Sequence, residues 1–461
     1  MLRTHSTAAQ LDLFDPFLPE ELKGLPAELG AVDEFLDDDR FFAPYRSHFD
    51  PVWGRPSVPI ETYLRMMYLK HRWGLGYETL CKEVRDSITW RRFCRIGWAD
   101  PVPHPTTLVK ITRRVGVGAV EELNRALREK TRERRLIRSR TLRADTTTIE
   151  ADISWPTDAG LLARATGAMG RAVRRVQQAG GATRTVFRDR SRSAGRRMRA
   201  LTGSLRSRGS ERKAQIERLT GELAQITRAV KSQAETVLGN ARRALRLDPG
   251  NGKLRRAITE MAELLEGTER ILSQTDLRLA GQTTIPDRMV SLADPDARAI
   301  RKGKLGRPVE FGYKVMIIDD REGFIESYQV YKGNPVDHVL LVPKIVEHKK
   351  ETGRAPTAVT ADRGFGISQV EDDLRELGVR TVAIPRRGRT PPERRQVEAQ
   401  RHFKRLIKWR TGAEGRISHW KRAYGGRRTR MRGIAGATTW VGFGVLAHNL
   451  NKISTTVAAT G

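Results

Sequence analysis

Two stretches decide the reading of this chain: Thr141-Leu142-Arg143-Ala144-Asp145-Thr146-Thr147-Thr148 and, far downstream, Ala358-Val359-Thr360-Ala361-Asp362-Arg363-Gly364-Phe365-Gly366. Each is a run of small apolar and β-branched residues, the composition of a strand. Each carries one aspartate. A lone carboxylate in such a strand is costly to bury unless a cation pairs with it. Asp362 falls where the strand gives way to a Gly-rich loop, and ligands of α/β sheets collect at the carboxyl ends of strands. Taken singly, either residue is more often just a helix cap. Taken together they are two hard oxygen donors on strands of one sheet, the donor type that a hard divalent cation takes.

Outward from these strands the pattern is that of an α/β domain. Strands are expected at 309–318 and 324–330, joined by the hairpin signal Asp319-Asp320-Arg321-Glu322-Gly323. A helix at 338–350, a strand at 357–361, a helix at 369–377 and a strand at 379–384 follow. Basic helices occupy about 398–423, and a last helix spans 438–452. Its segment from Trp440 to Ala447 is apolar but short, and reads as buried. Between the first strand (141–153) and the hairpin the texture changes: from 161 to 279 aromatics are few and the spacing is helical. Two long helices there, joined by Asp248-Pro249-Gly250-Asn251-Gly252, read as an antiparallel hairpin. Without that insertion the strands form a mixed sheet flanked by helices.

Residues 59–115 read as short helices. Ile60, Tyr63, Leu64, Met67 and Leu69 share a face, and further helices follow at 77–84 and 88–96. His104-Pro105-Thr106-Thr107-Leu108 opens another, which runs through Lys110, Arg113 and Arg114. A basic last helix suits a helix-turn-helix reader of DNA, and equally a bundle used for dimerisation. The expected division is 1–135, an N-terminal all-α DNA-binding or dimerisation domain; 136–160, the first part of a catalytic core; 161–296, a basic helical insertion; and 297–461, the rest of the core with C-terminal helices.

The 461 residues carry a net charge of +31. That surplus repels itself unless an anionic partner neutralises it, and nucleic acid is the obvious one. Between Arg164 and Arg208 there are 13 arginines and one acid, Asp189. With so few aromatics, that segment suits contact with the DNA backbone rather than base stacking. Arg113, Arg114, Arg174, Arg175, Arg196 and Arg197 are the candidate DNA contacts in the helical regions. No run of about 20 apolar residues is present to span a bilayer, and the start of the chain has no apolar core of a signal peptide. Two cysteines, Cys81 and Cys94, exclude a disulfide framework. A cytoplasmic, nucleoid-associated protein is the expectation.

A third carboxylate appears in Trp409-Arg410-Thr411-Gly412-Ala413-Glu414-Gly415-Arg416-Ile417-Ser418-His419-Trp420-Lys421. On one continuous helix Arg410, Glu414 and Lys421 share a face. A metal ligand between two phosphate-binding cations is what a nuclease site needs, although a salt-bridged surface helix has the same spacing. Gly412 and Gly415 weaken such a helix by about 1 kcal/mol each. Glu150, Asp152, Asp158, Asp319, Asp320 and Asp337 compete as ligands, and spacing alone does not exclude Glu150.

On these residues the chain resembles the bacterial insertion-sequence transposases with a ribonuclease-H-like DDE core. In one large group of them the glutamate helix carries Tyr, two residues, Arg, three residues, Glu, six residues, Lys. Arg410, Glu414 and Lys421 match, and Ile407 stands at the Tyr position. The strands of Asp145 and Asp362 resemble the family's two aspartate strands. The segments Gly306-Arg307-Pro308-Val309-Glu310-Phe311-Gly312-Tyr313-Lys314 and Gly333-Asn334-Pro335-Val336-Asp337 resemble signatures between them, and residues 40–115 resemble the N-terminal helical domain. The resemblance implies terminal inverted-repeat binding, strand cleavage and strand transfer by a two-metal mechanism, with Asp145, Asp362 and Glu414 on Mg²⁺ and Mn²⁺ as a substitute. Asp145 would bridge both ions. Arg410 and Lys421 would serve the phosphates, and no covalent enzyme–DNA intermediate would form. The implied partners are double-stranded DNA at the element ends and target, and a second copy in a synaptic homodimer. Two other classes compete: a non-catalytic DNA-binding protein derived from a transposase, and an arginine-rich RNA-binding protein.

Overall fold

The computed structural model describes residues 1–6, 15–206, 211–301 and 308–458. Gly306 and Arg307 of the first signature, and Arg208 of the arginine-rich segment, lie outside the described residues. The chain forms two compact units, Met1–Asp152 with Tyr313–Gly461, and Ile153–Gly312.

The first unit begins with α1 (Glu20–Lys23), α2 (Ala27–Leu36), α3 (Ala43–Arg46), α4 (Ile60–Arg72), α5 (Tyr77–Asp86), α6 (Ile88–Phe93) and α7 (Pro105–Glu133). Pro105 opens α7 at a position where its missing N–H costs nothing, and His104 caps it by accepting from the Thr106 N–H. Gly116, with φ of 62°, kinks α7 in its middle. One apolar face was expected on α4, but the helix is buried on all sides from Ile60 to His71. Two of its charged residues are held there by partners: Arg65 donates to Asp33 at 2.6 Å, and Arg95 reaches Glu61 at 2.7 Å.

In the second unit lie α8 (Asp158–Gln178), α9 (Ser191–Arg206), α10 (Arg212–Leu247), α11 (Gly252–Leu279) and β2 (Arg298–Arg301). The expected two-helix hairpin is only half of this bundle. α8 packs against both α10 and α11, and α9 against α8 and α10. The arginine-rich stretch folds because its apolar residues recur at helical spacing. Leu162, Ala165, Met169, Val173 and Val176 are buried, whereas Arg171, Arg174 and Arg175 between them are exposed. Asn251 starts α11 by accepting from the Leu254 N–H at 2.9 Å.

β3 (Val309–Asp319) starts in the second unit, where Val309–Gly312 pair with β2, an element that sequence reading did not anticipate. The rest of the first unit is β4 (Ile325–Tyr331), α12 (His338–Thr352), β5 (Ala358–Ala361), α13 (Ser368–Glu376), β6 (Thr381–Ala383), α14 (Pro392–Ala399), α15 (Arg401–Thr411), α16 (Ala413–Ala423) and α17 (Gly433–Ala458). With β1 (Thr141–Glu150) these strands make a mixed sheet in the order β4-β3-β1-β5-β6. β1, β5 and β6 run parallel, and β3 and β4 form the expected antiparallel hairpin. Its turn needs Gly323: φ is 98°, and an added Cβ would meet the Arg416 guanidinium at 2.7 Å.

Strand alternation gives the sheet two working faces. Leu142, Ala144, Val359 and Ala361 pack under α12 and α13 with Leu341, Ile345 and Leu374. Ala358 and Ala383 face the other way, onto Phe403 and Leu406 of α15. The apolar helix α17 is buried along almost its whole length against α2, α4, α7 and β4. Burial of each large aliphatic or aromatic side chain there contributes about 1.5–3 kcal/mol. The polar residues that follow its apolar run close open backbone groups. Asn449 accepts from the Ile325 N–H and donates to the Ile325 carbonyl, both at 2.9 Å.

Candidate active site

Asp145 and Asp362 stand side by side because β1 and β5 are parallel neighbours. The register pairs Ala144 with Ala361, so each aspartate follows directly on a paired position. Alternation sends both carboxylates to the α15 face, opposite Ala144 and Ala361. There one guanidinium meets them: Arg410 Nη2 is 3.4 Å from Asp145 Oδ2 and 3.9 Å from Asp362 Oδ2. Asp145 also accepts from the Thr146 N–H at 2.8 Å. Asp362 accepts from the Gly364 N–H at 2.8 Å, which fixes the turn that ends its strand. Gly366 completes that loop: a Cβ there would lie 1.9 Å from the Pro385 carbonyl oxygen.

The electrostatics of the pair are those of crowded acids. Burial, joined by the charges of Asp362 and Glu414, pushes the Asp145 carboxyl up to about 6 against the pull of Arg410 and the Thr146 N–H. The donor set is all oxygen and anionic, which suits Mg²⁺ or Mn²⁺, and a cation already stands between the two aspartates. Asp145 and Asp362 therefore fit a divalent ion. Among the described residues, no three carboxylate, His or Cys side chains are gathered closely enough to hold one.

The expectation of a single helix carrying Arg410, Glu414 and Lys421 is corrected. The helix breaks at Gly412, so Arg410 ends α15 while Glu414 opens α16. Glu414 is exposed, and Lys421 is half-buried in the last turn of α16. The break has a physical cause. Arg143 donates to the Trp409 carbonyl at 2.7 Å and lies over the Trp409 ring at 4.8 Å, filling the space beside Gly412. Glu398 accepts from Arg394 and from the Arg386 N–H, not from Arg410.

The competing carboxylates are committed elsewhere. Glu150 pairs with Arg428 at 3.1 Å, and Asp152 lies 3.7 Å from the same guanidinium. Asp158 belongs to the other unit, where Arg288 holds it at 2.7 Å. Asp319 takes a bidentate grip from Arg143, at 2.7 Å on each oxygen. Asp320 accepts from the Gly323 and Phe324 N–H groups of the hairpin turn. Asp337 alone stays near the pair. Its Oδ1 accepts from Thr146 Oγ1 at 3.1 Å and from Lys314 Nζ at 2.6 Å, and its Oδ2 flanks Gly364. Lys314 and Arg143 had not been singled out for this neighbourhood. The signal was available: a cation inside an apolar strand must find a buried acid, and Arg143 shares the face of Asp145 by parity.

The candidate DNA contacts are spread over both units. Arg113 and Arg114 are exposed on α7, and Arg114 lies over the Phe49 ring at 4.9 Å. In the second unit Arg174 pairs with Asp189, Arg175 with Glu260 and Arg197 with Glu222, whereas Arg196 is exposed.

Two family matches bear on this arrangement. Residues 17–114 match the family described as Transposase domain (DUF772), and residues 274–450 match the Transposase DDE domain. The second match contains Asp362, Arg410, Glu414 and Lys421 and begins after Asp145. No curated protein and no solved structure gives a match.

Proposed function

The chain belongs to the DDE transposases of the insertion-sequence type, and from that premise we propose that it binds the inverted repeats at its element's ends and cuts and joins DNA strands with divalent metal at Asp145, Asp362 and Glu414. The observation that carries the reading is the convergence of Asp145, inside β1, and Asp362, at the carboxyl end of its parallel neighbour β5, on one guanidinium. A ribonuclease-H-like core interrupted by the helical insertion is the fold that the family implies, and the mixed sheet with parallel β1, β5 and β6 suits it.

Mg²⁺ held at these carboxylates would supply Lewis-acid chemistry for in-line attack at the scissile phosphorus, first by water and then by a 3′-hydroxyl. The chain's own part is positioning. β1 and its Thr146 N–H hold Asp145, and the turn at Gly364 holds Asp362. Arg410 brings a cation whose Nε is buried and has no hydrogen-bond partner among the described residues. A phosphate oxygen is the natural acceptor for it. Arg410→Lys keeps the charge and loses the planar fork, so strand cleavage should fall about tenfold or more while the melting temperature holds. Lys421→Ala should likewise lose cleavage with little change in melting. Strong destabilisation of either variant with normal cleavage in the folded fraction would mean that these cations serve the fold.

The second unit is the proposed backbone-binding surface. Three of its four candidate arginines have acid partners, so DNA must compete with Asp189, Glu260 and Glu222 for them. Neutralising Arg174, Arg175, Arg196 and Arg197 together should weaken specific and random duplexes alike. The slope of log affinity against log salt should flatten by about 0.9 for each lost contact. A loss confined to the specific sequence would show base readout instead.

One observation favours the rival, a non-catalytic DNA-binding protein derived from a transposase: exposed Glu414 is not gathered with the two aspartates. The deciding experiment is Mg²⁺- or Mn²⁺-dependent cleavage of a duplex made from the DNA that flanks the reading frame. Cleavage at the element ends supports the enzyme, and tight binding without cleavage supports the rival.

A further inference from the structure

We propose that the cavity lined by Lys70, Tyr77, Arg113, Arg430, Arg432 and Trp440 is an anion site that takes a phosphate group, separate from the aspartate pair and beyond the function proposed above. The cavity, about 640 Å³, lies within the first unit between α4, α5, α7 and the start of α17. That volume is in the range of sites for small ligands. Four cationic side chains line it, and no Asp or Glu does.

Lys70 is the anchor. Its side chain is 1% exposed, and Nζ has no hydrogen-bond partner among the described residues. It sits 4.0 Å over the Trp440 ring and 4.7 Å over the Tyr77 ring. Two aromatic faces offset part of the cost of burying an ammonium, but they leave its three donors unmade. Burial and the charge of Arg430 push the amine down to about 7. A buried donor without an acceptor is expensive to keep, and a ligand oxygen would satisfy it. Arg430 stands at the same opening, because Gly76 leaves room for it: a Cβ there would lie 3.3 Å from Arg430 Nη1. Arg113, Arg430 and Arg432 are exposed, and none of them makes an ion pair with a described carboxylate. Guanidinium groups grip phosphate oxygens two at a time, and a buried amine adds a point charge beneath them. A single carboxylate would leave most of this positive charge unmatched. Two sources can supply the phosphate, a nucleic-acid backbone or free phosphate and nucleotides.

The test is calorimetric titration of the full chain with inorganic phosphate, in metal-free, phosphate-free buffer. Wild type should bind at one saturable site. Lys70→Met and Arg430→Gln should each weaken it by about tenfold or more, the effect of losing one charge-assisted hydrogen bond. Arg246→Gln, exposed on α10, should bind as wild type does. Lys70→Met removes an unpaired buried amine and should melt no lower than wild type. If that variant fails to fold, exposed Arg430 carries the test alone. No saturable binding, or equal binding by wild type and Arg430→Gln, overturns the site. A competition arm with a short duplex then assigns the source: displacement of phosphate by duplex supports a backbone contact, and simultaneous binding supports free phosphate. None of these readouts uses strand cleavage, so the outcome is independent of the enzymatic reading.

Discussion

Asp145→Asn and Asp362→Asn are each expected to reduce metal-dependent strand cleavage by more than about a hundredfold, since loss of an outer-shell partner alone costs 10–100-fold. Gel-shift affinity for duplex should stay close to wild type, because neither residue is proposed to touch the bulk of the DNA. Glu414→Gln is expected to do the same, and it tests whether this exposed residue takes part at all. The Asp145 variant carries a second, independent signature. Folding raises this carboxyl from 3.8 to about 6, chiefly by burial. The stability that the protonated acid contributes is complete below pH 3.8 and is lost as pH rises through about 6. Wild type has lost it at pH 7.5, whereas the Asn variant cannot ionise and keeps it. Without divalent metal, Asp145→Asn should therefore melt higher than wild type at pH 7.5, with the difference vanishing toward pH 4. Near wild-type cleavage by any of the three variants would remove that residue from the proposed ligand set. A lower melting point for Asp145→Asn at pH 7.5 would show that the ionised pair with Arg410 holds the fold.

The largest stability effect should come from the ion pair beside this site. Arg143 and Asp319 are each 4% exposed at the side chain and share two hydrogen bonds of 2.7 Å. Arg416 Nε adds a third donor to Asp319 at 3.3 Å, and Arg143 also holds the Trp409 carbonyl. Asp319→Ala leaves a guanidinium buried without its carboxylate, which costs about 3–5 kcal/mol. The melting temperature should fall steeply, and β1, β3 and the end of α15 should loosen together. Replacing both partners, Arg143→Met with Asp319→Leu, should recover much of the loss, because apolar residues of similar volume carry no desolvation cost. Thermal melts of the single and double variants decide this. A drop of less than about 1 kcal/mol for Asp319→Ala, the size of a surface pair, would mean that water reaches the site.

What the sequence determined by itself is what depends on neighbours along the chain. β-branched runs specified β1 and β5, and with them Asp145 inside a strand and Asp362 at a strand's carboxyl end. The turn at 248–252, the hairpin at 319–323 and the buried apolar helix of α17 were legible for the same reason, since Gly, Asn and Pro punctuation and periodicity act over a few residues. Burial of α4 on every side was not legible, because it depends on α17, hundreds of residues away. Nor was the break at Gly412. Helical spacing put Arg410 and Glu414 on one face, but Arg143 from β1 draws the Trp409 carbonyl toward the sheet and α15 ends there. The partners of the competing acids were equally hidden, because Arg428, Arg288 and Lys314 reach them across the fold. Strand parity sends Asp145 and Asp362 to one face from sequence alone. That β1 and β5 lie adjacent, in the register that sets these carboxylates against one guanidinium, is decided by tertiary packing, because long-range pairing leaves no local mark in the chain.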